Sequence, residues 1–192
     1  MIDAAFLVEG DLEKIFVQNV CPGSPVRKIN CNGDSVSIEA IATRIGTLGR
    51  LLQRRCRTLV IVFDRERRAE SCEQIEAALR RAMAAENLNT EIVVGIPDRD
   101  IEVWILGDPD MLRAGARLRA DVCLACEDGV KGKSKLKSLL AEGIHYVETV
   151  HGPEWLKKAR PSVICQNSAS FARFKDAMRA FDCWWLKQSS LL

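Results

Sequence analysis

Apolar positions along the first half of the chain follow two alternating habits. Ala4 to Val8 is a short continuous apolar run that stops at Glu9-Gly10. From Asp11 to Val20 the apolar residues Leu12, Ile15 and Phe16 recur at helical spacing, and Asp11 places negative charge at the positive end of the helix dipole. Cys21 to Pro25 is broken by Pro22, Gly23 and Pro25, and Val26 to Ile29 predicts a second short strand. After the turn at Asn32-Gly33-Asp34, Ser37 to Arg55 predicts a long helix with Ile38, Ile41, Ile45, Leu48 and Leu52 on one face. Thr58 to Phe63 is the clearest strand, because an unbroken β-branched run means burial on both faces, the habit of a parallel strand covered by helices. A helix over Ser71–Glu86, a buried strand over Glu91–Ile96 and a short helix carrying Ile101, Trp104, Ile105 and Leu106 complete the alternation.

That order predicts an α/β fold, a mainly parallel sheet flanked by helices and joined by right-handed crossovers. Beyond Pro109 the pattern turns helical, over Lys133–Glu142, Pro153–Ala159 and Ser168–Phe181, with no strand to match Thr58–Phe63. We divide the chain into a core at 1–110 and a helical C-terminal extension at 111–192 packed upon it.

Composition narrows the class. The 192 residues are 47% hydrophobic and 28% charged, the balance of a globular protein rather than a disordered one. No apolar run approaches the roughly 20 residues that cross a bilayer. The start lacks a basic leader and its apolar run ends in an acid, unlike a signal peptide, so a cytoplasmic location is expected. The eight cysteines are scattered through ordinary helices and strands and read as reduced thiols, mostly small core residues. A net charge of +2 does not by itself imply a nucleic-acid partner. The acids, however, gather near the first strands, while Lys131, Lys133, Lys135, Lys137, Lys157, Lys158 and Arg160 come later.

Candidate chemistry lies at the strand ends. Open parallel sheets bind ligands outside the carboxyl ends of their strands. Here Val8 runs into Glu9, Phe63 into Asp64-Arg65-Glu66, and Ile96 into Asp98, Asp100 and Glu102. Glu13 follows Glu9 by about one helical turn and can point back to the same place. Acids after strands also commonly just start helices, but three strands ending alike favour a shared site. Crowded carboxylates raise one another's pKa, and a hard cation such as Mg²⁺ or Mn²⁺ relieves the conflict. Two such ions about 4 Å apart serve phosphodiester hydrolysis.

These residues also carry a resemblance. Glu9-Gly10-Asp11-Leu12-Glu13 looks like the E-G-x-x-E opening of the Toprim domains of overcoming-lysogenisation-defect (OLD) nucleases, and Asp64-Arg65-Glu66 sits where Toprim proteins carry D-x-D. Ile101-Glu102-Val103-Trp104-Ile105-Leu106-Gly107-Asp108 resembles the I-E-x-W-x-L-x-D signature of a bacterial Toprim-related family that often looks like the small partner of an AAA/ABC-type ATPase in phage-defence operons. Thr149-Val150-His151-Gly152 and Ser168 to Phe174 extend the likeness over most of the chain.

The resemblance implies a Toprim-like, Rossmann-like fold with Glu9, Glu13, Asp64 and Glu66 as ligands of Mg²⁺ or Mn²⁺ and Glu102 as a further ligand or base. It also implies a downstream catalytic lysine, which Lys133 matches best, with Lys131 and Lys135 as rivals. Glu66 departs from the usual Asp, which puts two-metal geometry in question. The activity implied is metal-dependent cleavage of DNA or RNA by a defence effector with an ATPase partner. Arg65, Arg67, Arg68 and the later lysines would hold the nucleic-acid backbone. The alternative is a non-catalytic Toprim-like scaffold or regulatory subunit of that ATPase.

Other constellations are weaker. Gly129 to Ser134 ends like a P-loop in G-K-S, but Glu127 stands where the first glycine belongs. Cys123 and Cys126 form a C-x-x-C with only His145 and His151 downstream, so buried thiols are favoured over zinc. His151 suits structural hydrogen bonding better than catalysis. Trp104 reads as core, and Trp155 is a candidate for base stacking. Trp184-Trp185, with Phe181, reads as an aromatic patch for a partner or for bases. The lone Tyr146 argues against a topology-changing enzyme.

Overall fold

In a computed structural model, which describes residues 2–31, 33–120, 122, 124, 129–181, 183 and 185–187, the strands form one four-stranded parallel sheet. β1 (Ile2–Val8), β2 (Val26–Lys28), β3 (Cys56–Val62) and β4 (Glu91–Gly95) lie in the order β2-β1-β3-β4. Val8 lies opposite Lys28 on one side and Val62 on the other, and Val62 in turn opposite Gly95. All strand ends therefore face one edge. The chain first steps outward from β1 to β2, then back past β1 to β3, so the order reverses between β1 and β3. Glu9 and Asp64 leave the sheet on either side of that reversal, where ligands of such folds bind.

Strand residues alternate between two cores, as the pleat requires. Ala5, Leu7, Leu59, Ile61 and Val94 pack beneath α2 (Ile38–Leu52) and α3 (Cys72–Ala84). Ala4, Phe6, Val8, Val60, Val62 and Val93 face α1 (Asp11–Val20) and the C-terminal helices. The latter are α4 (Glu102–Leu106), α5 (Pro109–Gly115), α6 (Gly132–Leu139), α7 (Glu148–Lys158), α8 (Pro161–Asn167) and α9 (Ala169–Ala177). Reversal of strand order with crossovers of one hand places α1 and α2 on opposite faces. α2 and α3 begin on Ser37 and Ser71, whose hydroxyls accept the Ala40 and Gln74 amides.

The second half fills the α1 face. Trp104 is fully enclosed, donates to Ser170 Oγ at 3.0 Å, and packs on Phe171 and Phe174. Trp155 and Trp185 are buried as well, Trp185 against Phe16 and Phe171. This corrects the expectation of exposed aromatics at Trp155 and Trp185, which are spent on the core; Trp184 lies outside the described residues. Gly152 brings α7 onto α1, since a Cβ there would meet Leu12 Cδ1 at 2.5 Å. His151 accepts the Val147 amide at 2.9 Å and packs in a three-ring cluster with Tyr146 and Trp155, a structural role. α5 and α8 are two-turn helices begun by prolines, and α7 starts at Glu148, a turn before the expected Pro153. Among the described residues, no helix is long and apolar enough to cross a membrane.

Candidate functional site

A cleft of about 300 Å³ opens at the strand-end edge. Glu9, Glu13, Asp64, Glu66, Glu102 and Lys133, drawn from five separate segments, all line it. Asp100 and Glu148 join them, so seven carboxylates meet four cations, Arg67, Arg99, Lys131 and Lys133.

Each acid is placed by backbone geometry. Glu9 continues β1, is 8% exposed, and its Oε2 accepts the Asp64 amide at 2.7 Å. Glu13 sits in the first turn of α1, where its Oε2 accepts the Gly10 amide at 3.0 Å. Glu66 has φ of 57°, a left-handed conformation uncommon for a glutamate. That turn is held because the Glu66 amide donates to the Arg99 carbonyl at 2.7 Å and Arg99 Nη1 donates back to the Glu66 carbonyl at 3.2 Å. Asp100 reaches the start of α6, its Oδ2 accepting the Lys133 amide at 3.3 Å. Glu102 opens α4, 3% exposed, with Tyr146 Oη donating to its Oε1 at 3.2 Å.

Enclosure dominates the electrostatics. Burial, with Glu13 and Glu66 adding repulsion, pushes Glu9 up to about 7 against the pull of the Asp64 amide. Burial and then the Asp100 charge push Glu102 up to about 8. Asp100 is raised to about 6, chiefly by burial, although the Lys133 and Gly132 amides oppose this. Glu13 is raised by burial, and Asp64 stands well above the usual carboxylate range through burial and the charges of Glu13, Glu9, Glu102 and Asp100. Asp64 Oδ1 and Asp100 Oδ1 are sealed from solvent with no hydrogen-bond partner. Lys133 Nζ bonds Glu148, and this pairing outweighs burial to raise the lysine.

Not every strand-end residue turns inward. Asp98 turns away and binds Arg65 Nε at 2.5 Å, lining a separate groove near the start of α3. Arg65 is further engaged by the Arg68 carbonyl, and Arg68 by the carbonyls of Gly33, Asp34 and Val36. Both arginines therefore brace loops and are not free for a nucleic-acid backbone, a correction to that expectation. Arg67 alone of the three lines the cleft, paired with Asp34 at 2.9 Å. Asp108, fully buried, accepts the amides of Met111 and Arg160 and the Arg160 guanidinium, an architectural clamp.

As the side chains stand, no three His, Cys, Asp or Glu among the described residues are arranged to hold a metal ion. Glu9 and Glu13 each hold one carboxylate oxygen on a backbone amide, that of Asp64 and of Gly10. The donor set nevertheless fits a cation: all oxygen, two oxygens without partners, and charge that burial penalises. The P-loop likeness fails in a further way, since the Asp100 carboxylate already accepts the Lys133 amide at the start of α6. Gly132 lets α6 close on α4, as a Cβ there would strike Val103 N at 2.5 Å. Cys123 and Cys126 lie outside the described residues.

The family model that matches runs from residue 8 to residue 179 and is described as a domain of unknown function, DUF4276. The chain belongs to the DUF4276 family. No curated protein and no solved structure gave a significant match. The matched span of the DUF4276 domain includes every cleft residue from Glu9 to Glu148. Two contributors escape the ligand set read from sequence. Glu148 lies in a helical turn that sequence reasoning began only at Pro153, and Asp100 was one of three acids after β4 with nothing local to separate it from Asp98. Tyr146, as the partner of Glu102, had no local signal.

Proposed function

We propose that the cleft is a divalent-cation site for phosphodiester hydrolysis, in a Toprim-like arrangement similar to OLD nucleases. The observation that carries this reading is the pair of sealed, unpartnered oxygens, Asp64 Oδ1 and Asp100 Oδ1, among carboxyls held above their ordinary range. Desolvated acids at a sheet's ligand edge are costly to a structural protein and useful to a catalytic one.

In this reading Glu9, Glu13, Asp64 and Glu66 hold Mg²⁺ or Mn²⁺, with Asp100 beside them. The cation supplies Lewis acidity and charge neutralisation. Glu102, oriented by the Tyr146 hydroxyl, would take a proton from the attacking water once ionised. Lys133, released from Glu148, steadies charge on the phosphate. The substrate would be DNA or RNA, and the resemblance of the Glu9–Glu13 and Ile101–Asp108 motifs to OLD-type and related Toprim sequences suggests an effector of an anti-phage system with an AAA/ABC-type ATPase partner in the cytoplasm.

The second reading is a Toprim-like scaffold of that ATPase. Glu66 in place of Asp favours it, as does the turning of Glu9 and Glu13 onto amides. Purified protein with Mg²⁺ or Mn²⁺ and plasmid DNA or transfer RNA separates the two. Cleavage lost in both Glu9→Gln and Asp64→Asn supports the enzyme. Absence of cleavage, with ATPase binding that survives both substitutions, supports the scaffold.

A further inference from the structure

We propose that Cys21 and Cys183 are a disulfide site that ties the end of α1 to the segment following α9. Their Sγ atoms lie 3.2 Å apart although 162 positions separate them in the chain. Among the described residues no other two thiols touch. A disulfide spans about 2.05 Å, so roughly 1 Å of approach closes the bond.

The surroundings hold both partners in place. Cys21 is the C-terminal cap of α1, its amide bonded to the Val17 carbonyl at 2.8 Å. Two residues after Cys183, Trp185 sets its ring edge-on to Phe16 of α1 with centroids 4.9 Å apart. Both cysteines line a small apolar cavity of about 30 Å³ with Phe16, Val20 and Leu186. Glu13 lines the same cavity and the acidic cleft, so the helix fastened at Cys21 is the one that presents Glu13. The inference stands whether or not the cleft cuts nucleic acid.

The two thiols differ in access, Cys21 half-buried and Cys183 buried. With glutathione disulfide as oxidant, the Cys21 thiolate attacks one glutathione sulfur and displaces the other glutathione as a thiolate, which takes up the proton. Cys183 then attacks Cys21 Sγ, releasing the second glutathione. The protein loses two protons and two electrons, and the glutathione disulfide takes them up to become two thiols. The Cys183 contact, and then burial, push the Cys21 thiol up, so thiolate is scarce and exchange is slow.

The test equilibrates the full chain in glutathione buffers from reducing to oxidising, quenches with acid and alkylating agent, and maps peptides without reduction. Expected is a linked Cys21–Cys183 peptide in most molecules at the oxidising end, an intact mass lower by two hydrogens, and a higher unfolding midpoint than the reduced protein. Cys21→Ser and Cys183→Ser should each lack the linkage and the raised midpoint. Persistent glutathione on Cys21 without the linkage, or dominant pairing of either cysteine elsewhere, overturns the proposal. The wild-type peptide map decides the matter even if a serine variant fails to fold.

Discussion

The Asp64 amide donates to Glu9 Oε2 at 2.7 Å, joining the ends of β1 and β3 where the strand order reverses. Glu9 thus does two things: it accepts a backbone hydrogen bond, and it carries a buried charge among other acids. Glutamine keeps the acceptor and removes the charge. At pH 8, where Glu9 is largely ionised, Glu9→Gln should raise the metal-free unfolding free energy by about 1–2 kcal/mol. The same change should abolish the thermal shift produced by Mn²⁺. Paired melts with and without Mn²⁺ check both; a destabilised Gln variant refutes the argument from crowded charge.

The raised carboxyls together set a pH dependence. A carboxyl whose folded pKa exceeds its unfolded value favours the fold below the unfolded pKa, and this advantage is lost as pH climbs through the folded pKa. Glu9, Asp100 and Glu102 rise from ordinary values of 4.5, 3.8 and 4.5 to about 7, 6 and 8. The metal-free protein should therefore lose stability progressively between roughly pH 4 and pH 8. Asp108, held low by Arg160 despite burial, works the other way and only at the acid end. Denaturant titrations across that window, repeated with Mg²⁺, should show the loss and its partial reversal.

How much of this was legible follows from what each residue answers to. Strand-end acids could be read because apolar β-branched runs announce parallel strands, and parallel strands deliver their ends to one edge. Glu9, Glu13, Asp64, Glu66 and Glu102 came from that rule together with the likeness, and all line the cleft. Asp98 and Asp100 could not be told apart, since Arg99 adopts φ of 78° and turns the chain between them. Arg65 and Arg68 looked free because their partners, Asp98 and the carbonyls of 33–36, are tertiary. Trp185 meets Phe16 from the far end of the chain, a pairing that periodicity does not encode.

Asp108 separates architecture from chemistry within the I-E-x-W-x-L-x-D stretch. Ile101, Trp104 and Leu106 are core, Glu102 faces the cleft, and Asp108 grips Arg160. Asp108→Ala removes the acceptor of the Met111 and Arg160 amides and leaves the Arg160 guanidinium with Asp110 alone. The two amides left unsatisfied should cost about 1–3 kcal/mol, while Mn²⁺ affinity of the folded fraction stays unchanged. Calorimetric unfolding and Mn²⁺ titration below the melting range test the two halves separately.

Lys133 and Glu148 form a pair at the cleft mouth, each side chain about 40% exposed. An ion pair so open to water adds no more than about 1 kcal/mol to stability, so single substitutions should barely move the melt. Their effects on cleavage should diverge. Lys133→Met removes the cation that meets the phosphate and should lower cleavage at least about 100-fold. Glu148→Gln frees that cation and should keep cleavage within a few-fold of wild type while tightening substrate binding. In the double variant the Glu148 change has no lysine to release, so activity should match that of Lys133→Met alone. If Glu148→Gln instead abolishes cleavage, Glu148 belongs to the ligand set and Lys133 acts by holding it in place.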